Sequence, residues 1–218
     1  SASPGRTLPE RDVAERIAAV VAGARGRVLV TSFSSHLERI FACVLAARQS
    51  GRRLCVYGRS AEETTRLGVE RGLLPLLSGE LLPVDELRGS APGKSLVFVT
   101  GSQGEWRAPL ARIARGEDPK LSVGPGDLVV WSSRAIPGTE RGIGAVVNGL
   151  VERGAGVIPP WGPEAAGLHT SGHARADVVA EWLSWVQPRR VVPVHGEPVH
   201  LVAHRDRLRA TLPQVELL

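Results

Sequence analysis

Short apolar runs alternate along this chain with stretches of helical periodicity, and that alternation limits the fold more than any other feature. Arg27–Phe33, Leu54–Tyr57, Ser95–Thr100 and Asp127–Ser132 are nearly continuous apolar runs, the pattern of strands covered on both faces. Helical stripes lie before and between them. Val13, Ile17, Val20, Val21 and Ala24 repeat at helical spacing before Gly26, and Leu37, Ile40, Phe41, Val44 and Leu45 do so before Gly51. Leu110 and Ile113 mark another helix, and Glu140 to Arg153 a further one before a short strand at Gly156–Ile158. Strands joined through helices need crossover connections, so they lie parallel with helices on both faces. The expected fold class is α/β, with a doubly wound, mostly parallel sheet.

Local signals place the ends of these elements. Thr7-Leu-Pro-Glu10 reads as a capping box, Ser34 or Ser35 as the cap of the second helix, and Ser60-Ala-Glu-Glu63 as the opening of the third. The stretch from Gly72 to Gly93, broken by Pro75, Pro83 and Pro92, is expected to be loop with one short helix near Asp85–Leu87. Beyond Pro159-Pro160 come a helix carrying Val178, Val179, Trp182, Leu183 and Val186, a strand at Val191–Val194, a helix over Val199–Leu212 and a terminal strand at Val215–Leu218. The Pro- and Gly-rich stretch from Pro159 to Gly167 is the one candidate domain boundary.

Composition removes some function classes. No apolar run is long enough to span a bilayer, so no membrane is expected and the cytoplasm is the expected compartment. Cys43 and Cys55 sit inside apolar runs without metal-ligand spacing and read as buried free thiols of a reducing compartment. The formal charge of +5 leans toward an anionic partner. Only Lys94 and Lys120 are lysines and no dense basic run occurs, so charge permits nucleic-acid binding without arguing for it. The chain has no Met and begins Ser-Ala-Ser-Pro, which reads as an internal piece of a longer protein, with trimming or a tag remnant as the plainer account.

Two kinds of segment could carry chemistry. Thr31–Ser35, Gly58–Ser60, Thr100–Gly104 and Ser132–Arg134 end strands in small polar residues, all on one edge of a parallel sheet. Together they suggest a phosphate-lined crevice; singly, each is as well explained by turns and caps. Gly101-Ser-Gln-Gly104 matches neither a dinucleotide fingerprint nor a P-loop. The second kind is histidine. His169 and His173 are four apart, but Ser171-Gly172 between them argues for a loop that meets phosphate rather than a helix that chelates. His195 follows an apolar strand and precedes Gly196-Glu197, the setting of a metal ligand or of a hydrogen-bonded turn histidine. His200 and His204 read as solvated or packing residues. No other His and Asp cluster completes a site, since zinc needs at least three protein ligands.

Six segments in one order resemble the ribonuclease J family, β-CASP ribonucleases built on a metallo-β-lactamase fold. They are Val30–Ser35 with Arg39-Ile40, Val56–Ser60, Thr100–Glu105, Ile136–Glu140, His169–His173 and Pro193–Glu197. The resemblance implies that residues 1–165 form a β-CASP domain and 166–218 the returning C-terminal segment of a metallo-β-lactamase domain, βαβ-like. It implies RNA phosphodiester hydrolysis, 5′-to-3′ exonucleolytic and endonucleolytic, with two divalent ions, zinc first and manganese or magnesium as alternatives. His195 would ligate one ion, and His173 would act as acid or transition-state donor at the scissile phosphate. Ser34, Ser35, His169, Ser171 and Gly172 would hold RNA phosphate, including a 5′-monophosphate. The implied partners are RNA, the missing metallo-β-lactamase half and a second copy in a homodimer. The family's His-x-His-x-Asp-His motif, a further His and a bridging Asp would lie upstream, so the metal site is expected to be incomplete and the chain alone inactive. An apolar face should then stand uncovered. His36 stands where the family pattern has Asn. The alternatives are a non-catalytic RNA- or nucleotide-binding module without the hydrolase half, and a hydrolase of the same superfamily acting on DNA or a small phosphoester.

Overall fold

Strand β1 (Val28–Thr31) is buried along its whole length and pairs in parallel with two strands that are remote in sequence. In the computed structural model, which describes residues 3–218, these are β3 (Ser95–Val99) on one side and β4 (Leu128–Trp131) on the other. Ser1 and Ala2, which open the Ser-Ala-Ser-Pro start, lie outside the described residues. β2 (Arg53–Tyr57) extends the sheet beyond β3, and β5 (Gly156–Ile158) beyond β4. The order is β2-β3-β1-β4-β5, all parallel. The expected doubly wound sheet is therefore present.

The helices divide between the faces. α1 (Glu10–Gly23), α2 (Leu37–Ser50) and α3 (Arg59–Glu70) contribute Val13, Ile17, Ile40, Cys43 and Ala61 to one core layer, which includes Val30 and Phe98 of the sheet. α4 (Pro109–Arg115) and α5 (Glu140–Glu152) contribute Leu110, Ile113, Ile143 and Leu150 to the other, where Leu29 and Trp131 point. The helix after β1 thus covers one face and the helices after β3 and β4 the other. That reversal opens a crevice beyond the carboxyl end of β1. At the sheet's outer margins, Leu54 of β2 donates its N–H to Glu80 and accepts from Leu82, a bridge to the strand-like Leu81. β5 is three residues long and runs into Pro159-Pro160.

Cys43 and Cys55 are free and buried, and burial pushes both thiols up to about 12. Among the described residues no helix is long and apolar enough to cross a membrane.

Three capping assignments need correction. α1 starts at Glu10 with Pro9 as its cap, and no side chain caps it. Thr7 Oγ1 instead accepts the N–H of Arg175. α2 is capped by His36, whose Nδ1 accepts the N–H of Arg39, rather than by Ser34 or Ser35. α3 is capped by Gly58 at φ 125°, with Glu62 accepting its N–H, so Ser60 already lies inside the helix. In each case the loop's path, rather than the residue's cap preference, selects the capping group. The loop prediction for Gly72–Gly93 holds, its short helix being a 3-10 turn at Val84–Gly89 with a second at Pro92–Lys94.

The chain forms two compact units, Pro9–His169 and the N-terminal residues up to Leu8 with Thr170–Leu218. The smaller one holds α6 (Ala176–Val186), β6 (Arg190–Val191), α7 (Pro198–Thr211) and β7 (Glu216–Leu217), with β6 and β7 parallel across the α7 crossover. The two strands are shorter than Val191–Val194 and Val215–Leu218, because the pairing register covers only Arg190↔Glu216 and Val191↔Leu217. The N-terminal stretch completes α6, whose first N–H groups lack intrahelical partners. The N–H groups of Arg175, Ala176 and Asp177 go to Thr7 Oγ1 and to the carbonyls of Ser3 and Gly5. This unit buries Ala176, Leu183 and Leu208 but exposes Trp182, Trp185, Val194 and Val199.

Candidate functional site

Within the larger unit, the carboxyl ends of β1, β2 and β3 enclose a crevice of about 820 Å³. Small polar residues line much of it: Ser32, Ser34 and Ser35 after β1, Gly58 after β2 with Ser60 in the first turn of α3, and Thr100 and Ser102 after β3. Close packing makes some of these glycines necessary. A Cβ on Gly58 would lie 2.1 Å from Thr100 Oγ1, and its φ of 125° already disfavours a side chain.

The charges in this crevice are unevenly committed. Glu62 and Glu105 accept the backbone N–H groups of Gly58 and Gln103 at 3.1 and 3.0 Å. Arg112 is held from behind by Asp118, which is buried and lies 2.9 Å away. Tyr57 donates its hydroxyl to Asp118 at 2.8 Å, and burial with that hydrogen bond pushes the phenol up to about 12. Arg59 and Arg107, both exposed, have no ion-pair or hydrogen-bond partner for their guanidinium groups among the described residues. The hydroxyls of Ser34, Ser35 and Ser60 make no hydrogen bond there either. Free hydroxyls and free guanidinium groups are the kinds of donor that a phosphate anion needs. Arg107 and Arg112 escaped the sequence reading because isolated arginines in turns and helices look like solvated surface, and Arg59 entered it only as part of the Gly58–Ser60 strand end.

The fourth polar strand end does not line this crevice. Ser132 accepts from Ser32 Oγ at 2.9 Å and from Arg39 Nη1 at 2.7 Å through its carbonyl, and its own hydroxyl donates to the Leu168 carbonyl at 2.5 Å. Arg39 is the centre of this network. It is fully buried, contacts the Ser132 hydroxyl and the Leu168 carbonyl, and makes a two-pronged pair with Glu10 at 2.9 and 3.1 Å. Ser132 is thus spent on joining α1, α2 and β4 to the segment that delivers His169, while the buried Ser133 hydroxyl has no hydrogen-bond partner.

His169 ends the larger unit with a buried Nδ1 that has no hydrogen-bond partner. Burial, then the Arg39 charge, lowers it from 6.5 to about 4; Glu10 opposes this, and Arg134 and His36 add to it. The imidazole is therefore neutral at pH 7. The unfolded chain takes up this proton near pH 6.5 and the folded one only near pH 4, so stability present above pH 6.5 is lost as the pH falls through that window. We expect the urea midpoint to fall between those pH values, and His169→Asn to fall less steeply. Superimposable pH profiles for the two proteins would contradict this assignment.

In the smaller unit, Ser171 Oγ accepts the N–H of His173 at 3.1 Å, which fixes the loop through Gly172. The His173 ring stacks on His195, with centroids 5.8 Å apart and planes within 17°. His195 occupies the turn between β6 and α7 at φ 61°, a left-handed conformation that His tolerates better than most residues. His200 is exposed and His204 half-buried on α7. The structure thus pairs His173 with His195, and separately places Ser34 and Ser35 at the crevice. Among the described residues no three His, Cys, Asp or Glu side chains gather as metal ligands. A resident metal ion therefore does not fit the donors of this chain alone, which offer the exposed His195 without a set around it.

Residues 25–150 match the family described as ribonuclease J, beta-CASP domain, and residues 166–216 match that of a Zn-dependent metallo-hydrolase RNA specificity domain. The chain is 40% identical over 215 residues to ribonuclease J of Sinorhizobium meliloti, covering 98% of this chain and 37% of that protein. It is 35% identical over 194 residues to ribonuclease J 1 of Streptococcus pyogenes, covering 89% and 34% respectively. With ribonuclease J of Thermus thermophilus it shares 36% identity over 197 residues, 90% of this chain and 34% of the other. The chain spans about a third of the length of these relatives.

Proposed function

Because the chain belongs to the ribonuclease J β-CASP family, we propose that it is the RNA-holding part of a metal-dependent ribonuclease that cleaves phosphodiesters 5′-to-3′ and internally. Residues 1–165 are assigned to the β-CASP domain and 166–218 to the returning C-terminal segment of the metallo-β-lactamase domain. The observation that carries this reading is the crevice, with unpaired Arg59 and Arg107 beside the free hydroxyls of Ser34, Ser35 and Ser60.

In the larger unit, Ser34, Ser35 and the neutral His169 hold RNA phosphate, a 5′-monophosphate above all. In the smaller unit, Ser171 and Gly172 contact phosphate, His173 protonates the leaving oxygen, and His195 ligates one of two divalent ions, zinc first and manganese or magnesium otherwise. Such ions supply charge neutralisation and an activated water. The remaining ligands are assigned to the metallo-β-lactamase half, with self-association as a homodimer and the cytoplasm as compartment. Hydroxyl and guanidinium contacts read phosphate rather than base, so little sequence preference follows at the crevice itself.

The test is fluorescence anisotropy of this chain with single-stranded RNA bearing either a 5′-monophosphate or a 5′-hydroxyl. The monophosphate form should bind more tightly. Arg59→Glu with Arg107→Glu should weaken that binding at least about tenfold and lower its salt dependence, as expected when phosphate contacts are lost. Equal binding of the two RNAs, unaffected by the charge reversal, would sink the proposal.

A further inference from the structure

Trp106 lies between two residues that line the crevice, Glu105 and Arg107, yet the indole is 70% exposed. Exposure alone is ordinary for a single surface ring; what sets this one apart is that it is held in place next to the crevice. One face of the ring is covered by Arg115, whose guanidinium carbon lies 3.7 Å from the ring centroid. That arginine is itself fixed: it donates to Glu117 at 2.6 Å and to the carbonyl of Trp106 at 3.1 Å. The indole is therefore held in one orientation by a planar cation behind it, while its exposure leaves the opposite face open. Arg112, one helical turn before Arg115 on α4, lines the crevice. The indole thus belongs to the segment that supplies Glu105 and Arg107 to the crevice wall.

We propose that Trp106, backed by Arg115, is a stacking platform for a nucleobase of single-stranded RNA whose phosphate occupies the crevice. This rests on the phosphate-binding reading of the crevice and adds to it a contact with base rather than backbone. Aromatic faces accept any base, so the platform raises affinity without specifying sequence. The guanidinium behind the ring strengthens its hold through cation–π attraction and removes the cost of orienting it on binding.

The test uses the full chain, 5′-monophosphorylated oligoadenylate, and an oligomer of the same length with abasic riboses. Trp106→Ala should weaken oligoadenylate binding about tenfold or more, the scale of one lost base stack. Trp106→Phe should recover most of that loss, and neither variant should change binding of the abasic oligomer. The salt dependence of Trp106→Ala should equal that of the unaltered chain, because no phosphate contact is removed, whereas Arg107→Glu lowers it. Oligoadenylate should also quench a part of the tryptophan emission that is missing in Trp106→Phe. Should Arg107→Glu weaken binding while Trp106→Ala leaves it unchanged, the platform is overturned and the phosphate crevice stands. If the unaltered chain binds neither oligomer, both fall. Equal losses for Trp106→Ala on the two oligomers would also overturn stacking, since the indole would then be acting on the backbone.

Discussion

Arg39→Met is expected to lower the unfolding free energy of this chain by about 3–5 kcal/mol, the cost of removing one partner from a buried ion pair. The side chain is fully buried and serves Glu10, the Ser132 carbonyl and hydroxyl, and the Leu168 carbonyl. Methionine fills a similar volume but donates nothing, so Glu10 loses its cation and the Ser132 and Leu168 carbonyls each keep one donor, a serine hydroxyl, in place of two. Glu10 is 35% exposed and recovers part of its hydration, which places the effect toward the lower end of the range. Arg39→Lys should lose less, because the charge survives but one ammonium cannot serve both Glu10, held by Nη2, and the Ser132 and Leu168 carbonyls, held by Nη1. Glu10→Gln combined with Arg39→Met should cost less than the sum of the two single changes, since both remove one shared interaction. Urea titration of the unaltered chain and the four variants measures this, and a loss under about 1 kcal/mol for Arg39→Met would refute the role given to the network.

Joined to the metallo-β-lactamase part of a ribonuclease J, the chain is expected to lose at least about a hundredfold in RNA cleavage on His173→Ala or on His195→Asn, the scale of removing a group that acts on the transition state. The two losses should differ in kind. His195 is the assigned ligand, so its variant should release metal during dialysis; His173 is the assigned proton donor, so its variant should keep metal and lose turnover. Asparagine is the better probe at 195 because the residue sits at φ 61°, where alanine adds backbone strain to the loss of the imidazole. The stacked rings add one complication: each substitution uncovers a face of the other histidine. Unchanged cleavage in either variant would remove that residue from the mechanism.

The fold was legible because a parallel sheet repeats its signal. Each strand is a short apolar run, each helix a stripe, and Gly51 closes α2 at φ 62° as its position before a strand suggests. The crevice was legible in part for the same reason, since strand ends fall on one edge. What stayed hidden depends on contacts remote in sequence. Ser132 looks like the residues at the other polar strand ends, but it is committed to Arg39, 93 residues away, and to Leu168. Arg39 enters the sequence reading only as part of a family segment, and its role needs Glu10, 29 residues away, placed against it. Arg112 counts as surface until Asp118 and Tyr57 close around it. The division between the two compact units falls inside the His169–His173 motif, where no break in composition marks it.

The outer margins of the five-stranded sheet bear on how this chain behaves in a crowded solution. Unpaired strand edges recruit strands from other molecules and seed fibrous association. β2 is shielded by the Leu54–Leu81 bridge, and β5 offers three residues before two prolines that cannot donate to a ladder. An intruding chain finds no long template along either side, so sticking through this sheet is blocked by backbone chemistry rather than by surface charge.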